Sequence, residues 1–137
     1  MILNTTTKKL QIVLTAAKTT TDMSVSVDWA DITATTITAG NTPSLSNGTT
    51  VSDILAAPAA STERKINSIV IYNADTASKT VHVILNDNGT SYTLVSATLS
   101  AKKTASKQAR SAVFARCWYS LSGSAPVSAC GYRQAAT

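Results

Sequence analysis

Alternating apolar and polar positions run along most of this chain in short bursts, separated by clusters of Asn, Asp, Gly, Ser and Thr. Residues 9–17 place Leu10, Ile12 and Leu14 on one side and Gln11, Val13 and Thr15 on the other. Residues 23–29 repeat the pattern, with Met23, Val25, Val27 and Trp29 against Ser24, Ser26 and Asp28. Period-two patterning over β-branched residues predicts strands with one face on a core. The densest signal lies in 57–95. Ile66, Ile69 and Ile71 mark one strand, Val81, Val83 and Leu85 a second, and a third follows to Leu99. Residues 73–78 (Asn-Ala-Asp-Thr-Ala-Ser) join the first two, and such side chains favour turns by bonding their own backbone. Asn88-Gly89 joins the second and third, a pair that tolerates the positive φ of a tight hairpin. The three strands are predicted to form an antiparallel meander.

Elsewhere the pattern is weaker. Residues 32–38 predict a short Thr-rich strand suited to a sheet edge. Residues 39–50 hold Gly40, Asn41, Pro43, Asn47 and Gly48, a density of breakers that predicts a long exposed loop. Residues 51–57 read as a strand or a single helical turn stopped by Pro58, and 101–112 as a helical turn or connector. Residues 113–121 are apolar enough for a buried strand, with 126–132 able to pair with it. Eight or so short strands without βαβ spacing predict an all-β fold, a single antiparallel β-sandwich or jelly-roll-like domain. It spans 8–137, with 1–7 as an extended, flexible N-terminal arm. A chain of 137 residues builds one such core.

Four segments carry a resemblance. Residues 57–64 (APAASTER) and 69–81 (IVIYNADTASKTV), with 3–10 (LNTTTKKL) and 47–54 (NGTTVSDI) upstream, resemble small structural virion proteins of tailed bacteriophages. The likeness covers about residues 3–100 and rests on turn and strand residues. Members usually continue with a Gly/Asp-rich turn and a late Gly-Trp pair, whereas this chain runs Lys102-Lys103-Thr104-Ala105-Ser106-Lys107-Gln108-Ala109-Arg110. The resemblance implies a non-enzymatic virion subunit, a head decoration or cement protein or one associated with the neck or a short fibre. Its partners would be the major capsid protein or neck and tail proteins together with further copies of itself. It would be assembled in the host bacterial cytoplasm. The alternative is a glycan-binding module of a tail fibre or other host-recognition appendage, reading sugars through Trp29, Tyr72, Tyr92, Trp118 and Tyr119.

Composition adds a charge asymmetry to this picture. The net charge is +5, yet residues 1–88 hold seven acidic and six basic side chains, while 89–137 hold six basic and no acidic ones. Such a segment suits an acidic partner, and an acidic protein surface fits better than nucleic acid. The charges are scattered and lack aromatic residues at a stacking spacing. No stretch approaches the roughly 20 apolar residues of a membrane-spanning helix, so no membrane partner is expected. The start has no charged-then-apolar signal layout.

Candidate chemistry is sparse. Cys117 and Cys130 are the only cysteines; on paired strands they could bridge, stabilising by about 3 kcal/mol, or remain two buried thiols. With His82 as the single histidine, the chain lacks a metal-ligand set and a nucleophile triad, and no cofactor is expected. Asp28 and Asp31 flank Trp29 and could contact a sugar or calcium, but a strand end with a core tryptophan is the simpler reading. Arg116, Trp118 and Tyr119 suit a subunit interface, because Trp, Tyr and Arg dominate interface hot spots, with core packing of Trp118 as the equal alternative; Lys102, Lys103, Lys107 and Arg110 suit contact with an acidic neighbour.

Overall fold

The computed structural model describes residues 1–108 and the pair 119–120. Two antiparallel sheets pack face to face as a β-sandwich. The strands are β1 (Ile2–Leu3), β2 (Lys8–Leu14), β3 (Ser24–Ile32), β4 (Ile37–Leu45), β5 (Ser52–Leu55), β6 (Glu63–Tyr72), β7 (Lys79–Asp87), β8 (Thr90–Leu99), β9 (Thr104–Gln108) and β10 (Tyr119–Ser120). The first sheet runs β10-β9-β6-β3-β4, and the second runs β5-β2-β7-β8.

Alternation explains which residues meet between the sheets. Leu10, Ile12 and Leu14 of β2 face Val25 and Val27 of β3 and Ile66, Ile69 and Ile71 of β6 across one buried cluster, joined by Val81 and Val83 of β7. Each such side chain removed from water contributes roughly 1.5–3 kcal/mol. From β1 to β9, β3–β4 and β7–β8 are hairpins within a sheet, and the other connections between successive strands cross from one sheet to the other. The β7–β8 turn is the expected Asn88-Gly89, with φ of 49° and 91°.

Five sequence expectations change. The meander is broken: β6 lies in the first sheet and β7 in the second. The turn residues at 73–78 signalled a reversal but not its direction, and both long sides of β6 and β7 are occupied by other strands. Residues 39–45 are not a loop but most of β4, and 33–36 form the β3–β4 turn where a strand was expected. Thr33 closes that turn, accepting the Thr36 N–H at its hydroxyl and donating its own N–H to the Thr36 carbonyl.

The N-terminal segment is anchored rather than free. Leu3 is fully buried, β1 pairs with β6 at Lys65 and Arg64, and Thr7 donates to Asp87 at 2.8 Å. A single apolar residue in the core is enough to tie down a polar segment. Residues 104–108, expected in a helical turn or connector, form β9 against β6. The predicted 113–121 strand is described only at Tyr119–Ser120, opposite Ser106 and Ala105. The predicted 126–132 strand lies outside the described residues.

Candidate interaction surfaces

Three places gather polar or exposed side chains. The most buried is the crossover from β6 to β7. Asn73 and Asp75 are almost fully excluded from solvent, and Lys79 nearly so. Asn73 donates its amide to the carbonyls of Ala77, Leu99 and Ser100 at 2.9–3.1 Å and accepts the Asp75 N–H. Asp75 accepts the backbone N–H groups of Thr19, Thr20 and Thr76 and the Thr20 hydroxyl. Burial by itself would raise its carboxyl, but these donors outweigh it and hold Asp75 far below the usual carboxylate range. Lys79 adds a 3.6 Å ion pair and donates to the Ala17 carbonyl. The network staples the β2–β3 and β8–β9 connections to this corner. It is a structural joint, because every ionised group in it is neutralised from within the chain.

The second place is the Trp29 cluster. Arg64 grips Asp31 with two bonds, Nε at 2.6 Å and Nη2 at 2.7 Å, and lies 4.2 Å from the Trp29 ring centre. The indole Nε1 donates to Thr42 at 2.9 Å, and the ring covers Gly40 on the facing strand. A β-carbon at Gly40 would stand inside the ring's van der Waals envelope. Asp28, on the other face, accepts from the Ser68 hydroxyl and the Asn41 amide, and these two bonds hold its carboxyl below its ordinary value. Trp29 therefore lies within β3 rather than at a strand end, partly buried against the core with its polar edge already bonded, and both flanking carboxylates are committed. Sequence spacing made the cluster visible; the partners Arg64, Asn41 and Ser68 come from other strands.

The third place is the outer face of the first sheet. Cross-strand pairing aligns Leu45, Ser24 and Tyr72 in one row and Pro43, Ser26 and Val70 in the next. The serines form the floor of a shallow groove of about 500 Å³ between these two apolar walls. Leu45 and Tyr72 are both exposed.

The remaining expected site residues are dispersed. Lys102 and Lys103 sit at the β8–β9 corner, where Lys102 donates to the Ala74 carbonyl and the Lys103 carbonyl accepts the Asn73 N–H. Lys107 lies on β9 opposite Ile69, away from that corner. Arg110, Arg116, Cys117, Trp118 and Cys130 lie outside the described residues, and Tyr119 is placed by backbone register alone. His82 lies between Val13 and Ser96 on the outer face of the second sheet, half-buried, with its Nδ1 shielded and unpartnered. The exposed Tyr72 and Tyr92 belong to different sheets, so they do not share a sugar-stacking platform. Among the described residues no group of three or more His, Cys, Asp or Glu converges as a metal site. Comparisons with protein-family models, with curated proteins and with solved structures found no match.

Proposed function

We propose that this chain is a non-enzymatic structural subunit of a bacteriophage virion, a head decoration or cement protein or a neck-associated one. In this reading it works by lending sheet faces and strand edges to its neighbours. The observation that carries the reading is how the carboxylates are used. Asp22, Asp28, Asp31, Asp53, Asp75 and Asp87 each accept hydrogen bonds from this chain's own groups, at separate places in the sandwich. Acid–base and metal chemistry need such groups free and convergent. What the described residues offer outward instead is an apolar-walled groove and long open strands. The virion assignment rests on the resemblance of residues 3–100.

Mass spectrometry of purified virions tests it, with copies counted against the major capsid protein. Hundreds of copies are expected for a head decoration protein and about a dozen for a neck protein. Absence from the particle would overturn the proposal.

A further inference from the structure

Among the described strands, four open edges contrast sharply. An open edge presents unpaired N–H and C=O groups, and proteins blunt it with brevity, charge or proline. The β5 edge is four residues long and carries Asp53. Beyond β6 the first sheet ends on the two-residue strands β1 and β10, the latter lying against Ala105 and Ser106 of β9, and β9 itself carries Lys107. On β4 the N–H of Ser46 donates to Met23, so even-numbered residues face β3 and odd-numbered ones face outward. The missing N–H of Pro43 therefore falls on the open side, where it costs the sheet nothing and denies a partner its donor.

β8 has none of these three devices, and its one irregularity is a bulge at Leu94. It runs ten residues, Thr90–Leu99, and no charged side chain or proline occurs from Asn88 to Ala101. Tyr92 and Leu94 are exposed on it. Two-residue hairpins close on a hydrogen-bonded pair, which turns the Thr90 backbone toward β7. The bulge near Leu94 shifts the alternation, so Val95, Ala97 and Leu99 face β7, while Ser96 and Thr98 present their backbone groups outward. The assignment agrees with Thr80, whose carbonyl faces β2 and accepts the Thr15 N–H.

We propose that the open edge of β8 is a self-assembly site, pairing antiparallel with β8 of a second copy to make one continuous eight-stranded sheet. The proposal rests on the assembly reading above and names its partner. A second copy fits because the edge is uncharged along its length, so two copies meet without repulsion. Antiparallel pairing also keeps like ends apart, laying the Asp87 end of one strand, where the carboxylate is shared with Thr7 and Lys8, beside the Lys102 and Lys103 end of the other. Main-chain ladders of this kind are a recurring mode of association.

The test is the mass of the purified full chain in solution under reductant, measured by sedimentation across a range of concentrations. The wild type is expected to form a two-chain species. Ser96→Pro removes an outward N–H without touching the β7 ladder, and Ser96→Lys adds a charge to the edge. Both are expected to weaken the dimer at least tenfold while the far-ultraviolet dichroism stays sheet-like. A monomer at every concentration, or a dimer that survives both substitutions, would overturn the proposal. The outcome is independent of particle association: a chain found in virions yet monomeric in solution sinks this inference alone. A β8-dependent dimer absent from virions sinks only the virion reading.

Discussion

β4 and β8 are edge strands of nearly equal length on opposite sheets, each the second arm of a tight hairpin. They are built to different ends. β4 tolerates Gly40 and Pro43 because each is matched to a direction: Gly40 faces inward under the Trp29 ring, and Pro43 turns its missing donor outward. β8 contains no proline, glycine or charge, and its one irregularity is the bulge near Leu94. The difference teaches that an edge is specified by which way its backbone groups point as much as by composition. A breaker on the open side leaves the strand intact and closes it to partners.

Each prediction strains one side of that contrast. The largest effect is expected from Asn73→Ala, which strips the cap from the carbonyls at the end of β8 and leaves the Asp75 N–H unpaired. Buried unsatisfied groups cost about 1–3 kcal/mol each, so a loss of about 3 kcal/mol is expected in urea unfolding. A loss below about 1 kcal/mol would show that the corner does not anchor β8. Next is Gly40→Ala, which forces the indole off its seat and breaks the Nε1 bond to Thr42. About 2 kcal/mol and a changed tryptophan emission are expected, in line with other overpacked sites.

Acid acts on the fold through the aspartates that are held low in it. Asp75 is held low against the opposing effect of burial. Asp53 is held low likewise, its burial outweighed by Gln11 and Lys9, and Asp22 chiefly by Lys18. Groups that bind protons less readily when folded contribute fully above their unfolded value of 3.8, and that contribution fades as pH falls through the lower folded values. Stability should be level above about pH 5 and decline below about pH 4. Asp75→Asn should be less stable at neutral pH and show a shallower acid limb in thermal melts. An unchanged limb would remove Asp75 from this account. The smallest effect on stability is expected from Pro43→Ser, within about 0.5 kcal/mol as for surface changes generally. It restores the outward donor on β4, so its signature is a gain of higher oligomers by sedimentation. No change in mass would mean that Pro43 is not what closes that edge.

Much of this was readable in advance because local alternation reports burial directly. Period two places Leu10, Ile12, Leu14, Val25, Val27, Ile69, Ile71, Val81 and Val83 on core faces, and all are buried, while Trp29 and Leu85 of the same alternations are only partly so; Ile66 is out of phase with Ile69 and reaches the core through the bulge opposite Asp28 and Trp29. The Asn88-Gly89 hairpin was equally plain. The errors share one cause. The strand over 39–45 was hidden because Gly and Pro look like breakers until the neighbour beneath and the open side are known. Residues 73–78 read as a surface turn, since Asn and Asp normally stay wet; nothing local reveals that Thr19, Thr20, Leu99 and Ser100 arrive to satisfy them. The Trp29 cluster was half visible, its two aspartates in view and its Arg64 on a distant strand.

By itself, then, the sequence determined which residues alternate, where the chain must turn and which faces are apolar, because these depend on neighbours one or two positions away. Only the tertiary structure decided which strands share a sheet, that Leu3 anchors the N-terminal segment, and that Pro43 turns its missing donor away from β3 while β8 has no second neighbour among the described strands. Those outcomes depend on long-range pairing, where each backbone donor must find an acceptor tens of residues away, and no local pattern encodes that choice.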